Sequence, residues 1–224
     1  IACLRSDFAT ALEHLDCSLL TNAMNMKARN LKTAVLRKLG RLDEVTGFVC
    51  GTVELDPLDM MSRNEAILLS LAQGSTAAAG ELEELTNLMH VSDPLSEIQA
   101  YFDMAFDYAN AGFWEEAADL LARLADEDAL TYPMVLYILG YLEYQMGREA
   151  EAQMLYNRAS KAPSDYCFPV RLEEMAVLQH AQSLLPEDAK IAYYLGNLYY
   201  DKKRYDEAIA NWELAVKFAP DFSM

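Results

Sequence analysis

Apolar residues in this 224-residue chain recur at three- and four-residue steps, as on one face of a helix, and break off at turn residues before starting again. The clearest stretch runs from Ala189 to Pro220. There Leu195, Tyr199, Ala208, Trp212 and Ala215 form two blocks parted by the polar run Asp201-Lys202-Lys203-Arg204. Small residues (Gly196, Ala208, Ala215) and large ones (Tyr199, Trp212) stand where two antiparallel helices would face each other. With Ala208 as a ruler, the equivalent small position recurs at Ala152, Ala117, Val45 and Ala11, at separations of 56, 35, 72 and 34 residues. A step of 34 or 35 is one helix pair and 72 is two, while 56 is one pair plus room for an extra helix. Gly40, Gly112 and Gly147 each lie five residues before the small position, where a chain leaving a helix needs positive φ; the last pair has Lys203 there. Pro57, Pro163, Pro186 and Pro220 punctuate the pairs. The pattern predicts helices over 8–20, 26–39, 42–55, 58–73, 78–90, 96–111, 114–126, 132–146, 149–161, 170–184, 188–202 and 205–218.

A helix pair repeating every 34 residues with Leu195-Gly196, Tyr199, Ala208, Trp212, Ala215 and Pro220 at these offsets resembles the tetratricopeptide repeat. The resemblance implies an all-α fold, an α-α superhelix in which residues 1–224 form one array. Met104-Ala105, Tyr108, Gly112 and Ala117 make a good repeat, as do Leu139-Gly140, Gly147, Ala152, Tyr156 and Ala159. Residues 58–92 keep the helical period but lose most landmarks, so this pair is degenerate. The helix at 170–184, after Ser164 to Pro169, reads as a second helix whose partner has shrunk to a loop. Counted back from Ala11, Ile1 falls inside a first helix whose beginning is missing, as in a piece of a larger protein.

Composition narrows the function. A formal net charge of −17 argues against general nucleic-acid binding, which needs Lys and Arg on phosphates, and against an anionic membrane surface. Residues 1–50 depart from this balance, with seven Lys/Arg against five Asp/Glu, while residues 51–224 hold 11 against 30. Cys3, Cys17, Cys50 and Cys167 are too scattered for a zinc site or a disulfide framework, so buried free thiols in a reducing cytoplasm are expected. His14, His90 and His180 lack metal-ligand spacing and read as surface or packing residues. The carboxylate pairs Glu115-Glu116 and Glu173-Glu174 and the run Asp126-Glu127-Asp128 read as solvated, and no phosphate loop or nucleophile elbow occurs. The expectation is a chain with no catalytic constellation, no metal and no cofactor.

In arrays of this type the inner face is lined by the first helix of each pair, and the resemblance carries that role to positions here. They are Phe102, Phe106 and Asn110 in one repeat, Tyr137, Tyr141 and Tyr144 in the next, and Tyr193, Asn197 and Tyr200 in the last. Such aromatic positions suit an extended peptide or a sugar chain, since rigid rings supply contact area at small entropic cost; the competing reading is that helically spaced rings pack the core. Lys27, Asn30, Arg37 and Lys38 sketch a carboxylate clamp that the following repeats do not continue. The segments Phe106 to Gly112, Asp165 to Pro169 with Arg171 to Glu174, and Tyr194 to Tyr205 further resemble a bacterial family in which such an array follows an N-terminal β-sandwich domain. That kinship implies an accessory region of a larger protein, and no catalytic residues come with it. The sequence therefore points to a protein-interaction scaffold, binding a peptide or its own parent chain, with a glycan-contacting accessory region of a carbohydrate-active enzyme as the alternative.

Overall fold

The computed structural model describes residues 1–90, 94–125 and 132–220. Among these, the secondary structure is helical throughout: a 3-10 turn at Cys3–Arg5, then α1 (Phe8–Thr21), α2 (Met26–Lys38), α3 (Leu42–Leu55), α4 (Met60–Ala72), α5 (Ala78–Met89), α6 (Pro94–Ala111), α7 (Trp114–Ala122), α8 (Pro133–Gln145), α9 (Glu149–Lys161), α10 (Leu172–Leu184), α11 (Ala189–Asp201) and α12 (Tyr205–Phe218). The twelve predicted helices are present, with ends within a few residues. The chain divides into two compact units, residues 1–113 and 114–224. The acidic run at 126–128 lies outside the described residues.

Helix starts follow from side chains that cap orphan backbone donors. Asp7, Asn25, Asp59 and Asp188 accept from the backbone N–H groups of Thr10, Ala28, Ser62 and Ile191 respectively, the last at 3.3 Å. Pro133 opens α8, where its missing donor costs nothing. The turns between paired helices share one geometry. Gly40, Gly112, Gly147 and Lys203 take positive φ of 72°, 87°, 77° and 60°, and the residue after each donates to the carbonyl five residues back. Gly74 (φ 65°) does the same between α4 and α5, so the degenerate pair keeps the turn although it lost the other landmarks. Ser6 (φ 57°) does it after the 3-10 turn: Asp7 N–H reaches Ala2 O at 3.0 Å.

In the first unit, α2 packs against α1, α3 and α4. Leu36, Val45, Val49 and Leu69 form a buried cluster, joined by Leu12, Leu42, Phe48, Val53 and Ala66. A polar network crosses this unit. Arg37 of α2 pairs with Glu65 of α4 through Nε (2.8 Å) and Nη2 (3.2 Å). The Tyr108 hydroxyl of α6 donates to Glu65 at 2.7 Å and accepts from Asn64 Nδ2 at 3.0 Å. Glu65 and Tyr108 are fully buried, so each depends on these partners. Burial, and then the Glu65 charge, pushes the Tyr108 hydroxyl well above its ordinary range and keeps it a donor.

In the second unit, α8 and α9 form one pair and α11 and α12 another, while α10 touches both α8 and α11. Each pair closes around a glycine. A Cβ at Gly140 would stand 2.5 Å from the Tyr156 ring, and one at Gly196 would stand 2.3 Å from the Trp212 ring. The loop before α10 buries Cys167, whose thiol burial pushes up to about 12, which leaves it a protonated packing group. Cys3 is also buried, but Cys17 and Cys50 are exposed, correcting the expectation of four buried thiols. No described helix is long and apolar enough to cross a membrane.

Gly140→Ala and Gly196→Ala are each expected to destabilise the chain by about 1–3 kcal/mol, because overpacking exceeds the roughly 1 kcal/mol gained in helix propensity. Gly47→Ala and Gly80→Ala, helical sites where a Cβ meets nothing within 4 Å, should instead be neutral or stabilising. Thermal midpoints of the four variants measure the contrast, and equal behaviour would remove the close-approach explanation. Glu65→Ala strips a buried guanidinium of its bidentate partner and is expected to cost about 3–5 kcal/mol in urea unfolding. Lys27→Ala, which breaks the exposed 2.9 Å pair with Asp107, should cost less than about 1 kcal/mol.

Candidate functional site

The basic helix α2 carries the residues of the sketched clamp, and the structure engages them internally. Asn30 Nδ2 donates to both carboxylate oxygens of Asp59 at 3.0 Å, Arg37 is held by Glu65, and Lys27 pairs with Asp107. Lys38 Nζ lies 5.8 Å from the centre of the Phe113 ring. Neutralised in this way by acids of α4 and α6, α2 is no ready anion receptor. Beside it lies a cavity of about 230 Å³ lined by Lys27, Asn30, Leu31, Met61, Asp107 and Asn110, among others.

The predicted inner-face positions separate into two groups. Phe102, Phe106 and Tyr137 are buried: Phe102 and Phe106 meet edge to face with centroids 6.2 Å apart, and Tyr137 lies between Tyr156 (6.2 Å) and Tyr194 (6.1 Å). Their rings are spent on packing and offer no face to a ligand, which corrects the reading of these three as exposed contact residues. Helix α8 is buried along its whole first half, from Pro133 to Gly140, so its fifth position has no free side. Asn110 is exposed at the lip of the cavity just described.

The remaining positions present rings at the surface of the second unit. Tyr141 is half-buried and Tyr144 exposed, and both lean on His180 of α10, at 5.4 Å and 4.2 Å between centroids. The Tyr156 hydroxyl of α9 lies 3.0 Å from His180 Nδ1, so three helices converge on this imidazole. Burial holds the His180 pKa below its ordinary value and favours the neutral ring. On α11, Tyr193 is half-buried, and Asn197 accepts from the Trp212 indole N–H at 3.1 Å. Tyr200 is 57% exposed and packs on Tyr205 (5.5 Å) and Trp212 (5.6 Å) of α12.

Sequence reasoning missed His180 and Tyr205 as members of these clusters. His180 sits on the helix that has no place in the 34-residue register, so no positional rule could reach it; Tyr205 opens a second helix, a position the inner-face rule ignores. Among the described residues no group of three or more His, Cys, Asp or Glu lies together as a metal site would require. What the surface rings can supply is stacking and apolar contact, edged by the Asn197 amide and the neutral His180.

The tetratricopeptide repeat profile matches residues 189–222, the α11–α12 pair. No curated protein matches the chain significantly. Among solved structures, the chain is similar to MamA (17% identity, covering 83% of this chain and 92% of that one, TM-score 0.28). It is also similar to YrrB, described as a TPR protein with an unusual peptide-binding site (15%, 94% and 95%, 0.25). Yeast Tom70 is a third (14%, 97% and 60%, 0.36). With TM-scores below 0.5, these likenesses add nothing to the fold read from the helices themselves. The described residues fold as an all-α helical-repeat protein, and residues 189–222 match the tetratricopeptide repeat.

Proposed function

We propose that this chain is a non-catalytic protein-interaction scaffold that binds an extended peptide segment on the ring-bearing surface of its second unit. The observation that carries the reading is the run of accessible rings, Tyr144 with half-buried Tyr141 over His180, and Tyr200 with half-buried Tyr193, on the first helices of two helix pairs. A repeat pair presents such positions on a rigid framework, so ring contacts cost little ordering on binding. Asn197 lies among them, its carbonyl oxygen accepting from the Trp212 indole N–H. The acidic chain favours a segment that carries basic residues. A glycan would use the same rings, but a sugar also needs a dense set of polar partners around each ring. The flanking polar groups here are already committed inside the fold.

The test is selection of peptides from a displayed random library, followed by calorimetric titration of the selected sequence. Tyr144→Ala combined with Tyr200→Ala is expected to weaken that peptide at least tenfold while helical content and melting temperature stay within error. Binding unchanged in a folded double variant would overturn the assignment, and affinity for a polysaccharide panel in place of peptides would favour the glycan reading. His180 supplies a second check. Its folded-state pKa lies below the unfolded value of about 6.5, so its contribution to stability is complete above that pH and lost as pH falls through it. From about pH 7.5 to about pH 5.5 the wild type should lose more urea resistance than His180→Gln, and parallel curves would show that the imidazole is indifferent to its surroundings.

A further inference from the structure

We infer that a peptide bound over Tyr144 is released on acidification through His180, whose neutral imidazole is the binding-competent form. This rests on the peptide reading above and names the regulation of that same surface. His180 belongs to α10, which packs on α8 and α11. Its ring centre stands 4.2 Å from that of Tyr144, 5.4 Å from that of Tyr141 and 6.1 Å from that of Tyr156. The Tyr156 hydroxyl lies 3.0 Å from Nδ1. Tyr144 is 36% exposed and His180 half-buried, so the imidazole keeps solvent contact beside a ring that is itself accessible.

The hydrogen bond to Tyr156 selects the neutral ring. Tyr156 is fully buried, and burial, followed by the neighbouring Tyr141 and Tyr144, pushes its hydroxyl well above the ordinary tyrosine range, so the proton stays on. That proton needs an acceptor, and unprotonated Nδ1 supplies one, which assigns the imidazole proton to Nε2. A second proton on Nδ1 would set two donors face to face. The hydroxyl would then have to accept, leaving its own O–H buried without a partner. Burial acts in the same direction and holds the His180 pKa below its ordinary value. The titratable groups facing the imidazole are Tyr141 and Tyr144 of α8 and Tyr156 of α9. Helices α11 and α12 meet α10 through Tyr199 with Gln179 and Asn211 with Gln182, and one turn away on α10 stand Ala176, Val177, Ser183 and Leu184. Among the described residues no neighbouring charge contributes to the shift.

A peptide laid on Tyr144 covers the solvated edge of the imidazole, and the lost hydration disfavours the imidazolium further. The bound-state pKa therefore lies below the free-state one, and both lie below about 6.5. Affinity is complete above that pH and falls as pH drops through the free-state value, by at most about tenfold per pH unit for one group. Basic residues on the segment, which an acidic chain favours, add repulsion from the imidazolium in the same direction. Cation–π attraction to Tyr144 opposes the effect, and it is small at a ring in contact with water.

The free protein is titrated first. NMR of the imidazole carbon-bound protons, with the His180 signals assigned by their loss in His180→Gln, is expected to give a pKa below about 6.5. Tyr156→Phe, which keeps the ring and removes the donor, should raise it. A library-selected peptide lacking His, Asp and Glu, amidated at its C-terminus, is then titrated calorimetrically, with circular dichroism confirming the fold of each protein at each pH. From about pH 7.5 to about pH 5 the wild type is expected to lose at least about threefold more affinity than His180→Gln. Parallel pH profiles, in a wild type whose peptide is lost on Tyr144→Ala with Tyr200→Ala, overturn the proton link and leave the peptide reading standing. A peptide retained by that double variant sinks the peptide reading, and the link falls with it. Affinity that rises on acidification in the wild type alone, or a His180 pKa unmoved by Tyr156→Phe, overturns the link as well.

Discussion

The architecture depends on how closely two antiparallel helices can approach within a pair. At Gly140 against Tyr156 and at Gly196 against Trp212, a backbone with no Cβ receives an aromatic ring, and any larger residue would meet that ring below contact distance. Close approach sets the distance between the helices and thereby which positions are left to face outward. It also explains why the repeat signature pairs a glycine in the first helix with a large residue in the second, with buried Ala152 or Ala208 beside the ring. The left-handed turn residue completes the pair by reversing the chain in a fixed number of residues. Together the two features fix the register of the α8–α9 and α11–α12 pairs.

The two units meet the cost of burial differently. The first relies on a polar network that ties α2, α4 and α6 through Arg37, Glu65, Asn64 and Tyr108, a connection that is strong when every member is satisfied and costly when one is removed. The second is held by rings, Tyr137 with Tyr156 and Tyr194, and Trp212 against Gly196. This division follows the charge distribution, since the first 50 residues hold a small excess of cations over an otherwise acidic chain. Several of those cations pair within the unit: Lys32 with Asp16, Arg37 with Glu65, Arg41 with Glu44 and Lys27 with Asp107. The surface rings, by contrast, belong to the second unit.

Recognition by such a molecule is a matter of what the packing leaves over. Tyr144 and Tyr200 keep exposed ring surface while packing on His180 and on Tyr205 and Trp212, because the preceding positions of their helices are turned inward. His180 reaches Tyr141, Tyr144 and Tyr156 because α10 interrupts the regular alternation and brings a side chain where a standard repeat would have another. The irregular helix is thus tied to the α8–α9 pair through one imidazole, which burial favours in its neutral form.

The helices, their approximate ends and most of the turns were legible in the sequence by itself, because they rest on local rules: a 3.6-residue period, prolines that punctuate the pairs, and glycines at positive φ. Even so, the turn at Gly74 and the one at Ser6 passed unrecognised, since a single glycine or a serine carries little signal without its carbonyl partner five residues back. The candidate site was only partly legible. Phe102 and Tyr137 share a register position with the half-buried Tyr193, and how far each is covered depends on neighbours far away in sequence. The partners of α2 and the convergence on His180 were likewise decided only by the tertiary structure. Burial and pairing are properties of all the elements packed around a residue, whereas helix formation is a property of the residue and its nearest neighbours.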